Sequence, residues 1–276
     1  MKPTQQSKAH LWLFLPFVLM MGAFCIAPSV WVIINSFYTN DAFTLEHYQK
    51  VLTSPFYLQA IRNSFWVSTY ASIFGLIIGL LATSSLRYVS GKIRNVIIAF
   101  VNVSNNFSGV PLAFAFIIVL GTNGAITLIM RNYGLDGFNL YSTLGLIIVY
   151  IYFQIPMAIL LLYPAFDSLK DDWQEAAALL GAGPLKYWQK VALPVLLPSI
   201  LGTFVLLLAN ALGAYATAYT LTASNVNLIP IRIGALVAGD ITLNPNLAAA
   251  LSIILVVQLA LVTLINQWLL RRRKYA

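Results

Sequence analysis

Charge is what this sequence has least of: charged residues are 9% of 276, and only eight are acidic. A soluble domain carries about 25% charged residues. A chain whose hydrophobic residues reach 60% therefore lacks the polar surface to cover itself in water. Its mean hydropathy of +0.82 points to a membrane protein. Cysteine is nearly absent. Cys25 stands alone, which excludes an intramolecular disulfide. It follows Gly22-Ala23-Phe24, and the bulk of Phe24 argues against a lipoprotein signal, which wants a small residue before the cysteine. Histidine is scarce too: His10 and His47 have no neighbour at metal-ligand spacing and read as solvated or interfacial. No G-x-x-x-x-G-K-[ST] sequence occurs, so the usual phosphate-binding loop of nucleotide hydrolases is missing. No clear internal repeat is visible.

What is present is a series of long apolar runs. Crossing the hydrocarbon of a bilayer takes about 20 mostly apolar residues. Six stretches qualify, at 11–36, 64–86, 96–121, 142–164, 195–220 and 247–270, and none holds an interior Lys, Arg, Asp or Glu. Each can satisfy its backbone within a helix. The first runs well beyond the hydrophobic core of a cleaved signal peptide and reads as a retained span. The expected fold is an all-α integral membrane protein, one domain over 1–276. Short outer segments at 37–63, 122–141 and 221–246 leave no room for an added soluble module.

A net charge of +8 invites a nucleic-acid partner, but the basic residues flank the apolar runs, and topology explains them better. With both termini inside, twelve of sixteen basic residues fall in the cytoplasm: Lys2, Lys8, Arg87, Lys92, Arg94, Lys170, Lys186, Lys190 and the closing Arg271, Arg272, Arg273 and Lys274. Lys50, Arg62, Arg131 and Arg232 fall outside. The positive-inside rule selects this orientation.

The polar segment between the fourth and fifth runs, 167–194, is the most specific part of the chain. Asp171 and Asp172 are placed to cap a helix over 171–183, and Asp172 with Glu175 has capping-box spacing. Both carboxylates also oppose the positive end of the helix dipole. Trp173, Ala176, Ala177 and Leu180 recur at helical spacing and form one apolar face. Gly181 or Gly183 can end the helix in a left-handed conformation, and Pro184 prevents its continuation. Small alanines on such a face permit close approach to another surface.

Glu175-Ala176-Ala177, Gly181, Val191, Leu193 and Pro194 together spell E-A-A-x-x-x-G-x9-V-x-L-P. This resembles the EAA loop of permease subunits of binding-protein-dependent ATP-binding-cassette importers of type I. Val191 stands where that pattern usually has Ile. The resemblance covers nearly the whole chain and implies six transmembrane helices with a short cytoplasmic coupling helix between the fourth and fifth. By similarity, Asp172, Glu175, Ala176, Ala177, Gly181, Leu193 and Pro194 belong to the element received by an ATPase subunit. It further implies two ATP-binding subunits, which carry the ATP and magnesium. A second permease of the same or a related sequence, an extracytoplasmic substrate-binding protein and a bacterial inner-membrane location are implied as well. This chain itself would bind no cofactor or metal and catalyse nothing.

Candidates for a translocation path are polar residues within the runs. Asn102, Ser104, Asn105, Asn106 and Ser108 cluster just before Gly109 and Pro111. Gln154 precedes Pro156, and Asn210 is followed by Gly213 and Tyr215. Taken singly, each is more simply an interhelical hydrogen bonder. Adjacent polar residues in the third run cannot all face one neighbour, however. We therefore expect runs three to five to line the path, with Asn102, Ser104, Asn105, Asn106, Gln154, Asn210 and Tyr215 as its candidates and Pro111 and Pro156 bending helices around it. Size and short outer loops look most like the spermidine/putrescine group, with relatives for iron, phosphonate or sulfate-type anions. The outer acids Asp41, Glu46, Asp136 and Asp240 are compatible with a polyamine. An ion-coupled carrier is the rival, disfavoured because the runs hold no ionisable group of the kind charge movement needs. An intramembrane enzyme is weaker still. Asp167, Asp171 and Asp172 form a single acidic cluster, and capping accounts for two of them.

Overall fold

The computed structural model describes residues 14–39, 42–135, 138–223, 225–240 and 243–274. Lys2, Lys8, His10, Asp41, Asp136 and the side chains of Arg272, Arg273 and Lys274 lie outside what is described. Helix α1 spans Phe14–Asn35, and a small hairpin follows, β1 at Tyr38–Thr39 and β2 at Ala42–Phe43. Helices α2 (Glu46–Thr53), α3 (Pro55–Leu86), α4 (Gly91–Asn106), α5 (Val110–Leu120) and α6 (Ala125–Asn132) come next. Then come α7 (Thr143–Asp167) and α8 (Asp171–Leu179), α9 (Pro184–Leu212), α10 (Tyr215–Thr222), α11 (Ile229–Ala238) and α12 (Pro245–Lys274). Six helical stretches are long and apolar enough to cross a membrane, α5 and α6 together forming one of them.

The chain divides into two compact units. The first comprises Met1–Leu58 and Arg232–Val256. No residue of α1 is buried. Beyond it, the antiparallel hairpin pairs Tyr38 with Phe43 and Thr39 with Ala42. His47, expected at a solvated or interfacial position, is instead buried at 6% exposure. Its Nε2 lies 2.8 Å from Thr39 Oγ1 and 3.1 Å from the Tyr38 carbonyl. Asn246 Nδ2 donates to that carbonyl at 2.8 Å. Phe37 stacks against Phe43 and tilts onto Tyr48. A histidine so enclosed ties the first strand of the hairpin to α2, a role spacing alone does not disclose.

The second unit, Gln59–Ile231 with Val257–Ala276, holds the helices that build the site. The buried face of α3 is a stripe of small residues: Ser64, Ser68, Ala71, Ser72, Gly75, Gly79 and Thr83. A Cβ on Gly75 would stand 2.6 Å from Gln154 Cβ, and one on Gly79 would stand 2.5 Å from Ala158 Cβ. These two glycines let α3 and α7 approach as closely as two backbones can, the way transmembrane helices associate without a hydrophobic drive between them. Around this seam, Leu146, Val149, Tyr150, Phe153, Leu112 and Ala211 form one buried cluster. A second cluster, nearer the segment 167–194, gathers Leu162, Phe166, Leu169, Tyr187, Leu196 and Leu207.

Two of the expected runs are not single helices. The run 96–121 is divided between α4 and α5, with Phe107–Gly109 non-helical between them. Gly109 has φ +71°, which an L side chain adopts only with strain, and Pro111 lies in the first turn of α5. The run 195–220 breaks at Gly213–Ala214, between α9 and α10. Its helix also begins earlier than expected, at Pro184. The early part of α9 contains a π-turn over Trp188–Ala192, ending two residues before Pro194. The same arrangement occurs in α1, where the π-turn Gly22–Ile26 ends two residues before Pro28. Proline has no N–H and crowds the carbonyl four residues back; a wider turn just before it relieves that crowding.

Candidate functional site

The segment between α7 and α9 folds as the helix α8, shorter than the expected 171–183. Its acids occupy the first turn, but Lys170 is the N-cap and no side chain caps the end by hydrogen bonding. The capping-box expectation for Asp172 and Glu175 therefore fails. Asp171 is engaged elsewhere, its Oδ1 2.7 Å from Arg87 Nη2. The C-terminus is fully specified. Gly181 has φ +75°, its N–H donates to the Ala178 carbonyl at 2.9 Å, and the Ala182 N–H donates to Ala177 at 2.9 Å. Those two bonds form a Schellman motif, which requires a left-handed residue at that position. Gly183, the other candidate stop, has φ −68° and instead caps the start of α9.

No residue of α8 is buried. Ala177 packs partly against the cluster of Phe166 and Tyr187, while Glu175, Ala176 and Trp173 face outward. Leu179 and Leu180 are 89% and 88% exposed, and Leu185 is 71% exposed. These leucines give the polar segment an exposed apolar end. Leu193 and Pro194 do not lie in a loop. They sit within α9, exposed and directly after the π-turn.

The second part of the site is an open cavity of about 610 Å³, formed where the two helix breaks meet. Asn105, Ser108 and Gly109 come from the first break, Asn210, Gly213, Ala214, Tyr215 and Thr217 from the second, and Phe153 and Met157 from α7. Each break leaves backbone groups that must find partners. Ala214 has φ −75° and ψ 74°, an inverse γ-turn closed by Tyr215 N–H donating to the Gly213 carbonyl at 2.8 Å. The Ala214 carbonyl accepts from the buried Tyr150 hydroxyl at 2.7 Å. The Gly109 carbonyl accepts from Ala113 N–H at 3.2 Å and from Thr217 Oγ1 at 3.4 Å. Tyr215 stacks on Tyr219 at 5.4 Å.

Behind the cavity sits Gln154, fully buried. Its Nε2 donates to the Leu207 carbonyl at 2.6 Å and to Ser72 Oγ at 3.1 Å, joining α3, α7 and α9. Asn210 Nδ2 donates to Gln154 Oε1 at 3.3 Å, which connects this hub to the cavity wall. Of the sequence candidates, Asn105, Asn210 and Tyr215 line the cavity, whereas Gln154 supports it from behind. Asn102, Ser104 and Asn106 are not among the lining residues. Asn102 and Asn106 donate to backbone carbonyls of their own helix, Ile98 and Asn102, at 3.0 and 2.9 Å. Phe153, Met157 and Thr217 were missed because nothing in their sequence context separates them from ordinary helix residues. Gly109 and Gly213 carried a legible signal: glycine in an apolar helical run is a candidate break. No cluster of three His, Cys, Asp or Glu side chains capable of holding a metal occurs among the described residues.

A family model for the binding-protein-dependent transport system inner membrane component matches residues 72–275. The chain is 27% identical over 250 residues to a spermidine/putrescine transport system permease protein of Haemophilus influenzae, covering 86% of each. It is 23% identical to a ferric transport system permease protein of Actinobacillus pleuropneumoniae, where it spans 87% of its own length but 35% of that relative. In structure it resembles a bacterial ABC transporter involved in the import of the acidic polysaccharide alginate. That likeness has a TM-score of 0.81 at 19% identity over 97% of this chain and 96% of the other. The chain belongs to the family of binding-protein-dependent inner membrane components: it is a non-catalytic permease subunit of an ATP-binding-cassette importer with the type I permease fold.

Proposed function

We propose that α8 is the coupling helix of this permease and that the cavity at the two helix breaks is its cargo path. One observation carries the reading. The helices that flank α8 in sequence, α7 and α9, supply Phe153, Met157 and Asn210 to the cavity. A force applied to α8 therefore acts on the cavity wall directly along two helices. In this reading the termini and α8 are cytoplasmic, as the distribution of basic residues supports. Asp172, Glu175, Ala176 and Ala177 meet a groove of an ATPase subunit, and Leu179 and Leu180 become covered there. Leu193 and Pro194 lie farther along α9, directly after its π-turn.

Two ATPase subunits, holding ATP and magnesium, close on each other and draw together the coupling helices of this chain and of a second permease. The two cavity halves then switch from facing the cytoplasm to facing the substrate-binding protein outside. Helices interrupted near the middle of the bundle suit this work. Freed backbone groups and polar side chains offer brief contacts to a solute without a deep well. Polyamine is the cargo we favour, supported by the resemblance to the spermidine/putrescine group. None of the cavity-lining residues is charged, so selectivity resides mainly in the binding protein and the cavity supplies amide, hydroxyl and ring contacts in passing.

The test is ATP-dependent spermidine uptake in vesicles that contain the complete complex. Glu175→Lys and Gly181→Trp should abolish uptake while leaving the protein in the membrane. Normal uptake by both variants would sink the assignment of α8. Uptake of another solute in place of spermidine, with the same variants inactive, would sink the polyamine assignment alone.

A further inference from the structure

The joint between α7 and α8 is three residues long, Ser168–Lys170, and no residue of α8 is fully buried. Ala177 alone packs partly against the core, so the direction of α8 depends on what holds its base. Arg87, the residue immediately after α3, is placed to do so. Its Nη2 donates to the Leu169 carbonyl at 3.1 Å and meets Asp171 Oδ1 at 2.7 Å. One guanidinium nitrogen thus grips the middle residue of the joint and the first residue of α8 together. The gripping group is itself held, since the Arg87 side chain is 14% exposed whereas that of Asp171 is 86% exposed. Leu86, just before it, is buried, and the Leu169 side chain is buried in the cluster with Phe166 and Tyr187. The contact therefore connects two buried points to the start of a mostly exposed helix. Charge also favours it: a cation at the end of α7 and an anion at the start of α8 each oppose a helix dipole.

We propose that Arg87 is a positioning residue that stiffens the α7–α8 joint and ties the base of the coupling helix to the end of α3. The inference rests on α8 being the coupling helix. Without the clamp, an ATPase subunit still binds α8, but its motion turns the helix about Ser168–Lys170 instead of displacing α7, α9 and α3. ATP is then hydrolysed with little cargo moved. The guanidinium matters because it is planar and always charged, and presents several donors in a fixed fork.

The experiment compares uptake per ATP hydrolysed in vesicles containing the complete importer, with co-purification of the ATPase subunit measured alongside. Arg87→Gln should leave the ATPase subunit bound and hydrolysis running while uptake per ATP falls several-fold. Asp171→Asn, a surface change that leaves the fold undisturbed, should produce a smaller loss because the bond to Leu169 survives. Combining Arg87→Asp with Asp171→Arg should recover part of the ratio lost by Arg87→Asp alone, which a merely structural arginine would not permit. An unchanged ratio in Arg87→Gln and Asp171→Asn, with Glu175→Lys inactive, overturns the clamp and leaves the coupling helix standing. Normal uptake in Glu175→Lys overturns both.

Discussion

Helix α8 and the cavity are joined by the same two helices, yet they are built in opposite ways. What starts and stops α8 lies within fourteen residues, from the acids of its first turn through the Schellman stop at Gly181 to Pro184, which begins the next helix; Arg87 alone reaches it from afar. Helix α8 exposes almost all of its surface and relies on little of the rest of the molecule. The cavity takes residues from four helices, and each wall depends on a partner distant in sequence, such as Tyr150 for Ala214 or Thr217 for Gly109. A docking element can be local because its partner supplies the other half of the contact. A path through a bundle cannot, because the bundle must make room for it.

This contrast is most severely tested at the seam that supports the cavity. Gly75→Leu drives a side chain into Gln154, and overpacking of this kind costs about 1–3 kcal/mol. The complex should lose thermal stability in detergent and uptake together. A variant that melts like wild type would show that α3 and α7 are less tightly engaged than the 2.6 Å approach indicates.

At the coupling end the expected cost is smaller and confined. Gly181→Val places a branched side chain at φ +75°, a penalty of about 1–2 kcal/mol. Global Tm should barely move while ATP-driven uptake collapses. A lowered Tm with coupling intact would reverse the contrast.

Next comes Gln154→Leu, which removes the hub joining three helices. Interhelical hydrogen bonds in membranes average about 0.6 kcal/mol and reach about 1.7, so Tm should fall modestly. The ATPase subunit should still co-purify, since α8 is untouched.

The smallest effect on stability is expected for Asn210→Ala, about 0.6 kcal/mol for the one interhelical bond to Gln154 that it removes. Here the informative reading is transport. A changed KM or maximal uptake rate at constant Tm would identify Asn210 as a contact of the cargo; unchanged kinetics would reduce it to a partner of Gln154.

Much of the site was legible from the sequence, and the failures have physical causes. The pattern E-A-A-x-x-x-G located α8 because a capped and terminated helix is written in consecutive residues. The capping role assigned to Asp172 failed, and Asp171 went to Arg87, because a side chain 84 positions away in sequence competes for a carboxylate that local spacing would give to the backbone. The polar cluster 102–108 is divided by the fold. Asn102 and Asn106 bond back to their own helix, while Asn105 and Ser108 line the opening. Periodicity places side chains on a helix, but it does not tell which face a neighbouring helix leaves uncovered.

The sequence by itself determined that this chain lives in a membrane, that it has six apolar runs, and that a short terminated helix separates the fourth from the fifth. Hydropathy and helix-stop chemistry act over one or two turns, so they can be read along the chain. Only the tertiary structure decided that two of those runs break, that the breaks meet at one cavity, and that Arg87 grips the base of α8. Breaking a helix in an apolar setting is tolerable only where another element satisfies the freed backbone groups, and which element does so is fixed by how the helices pack.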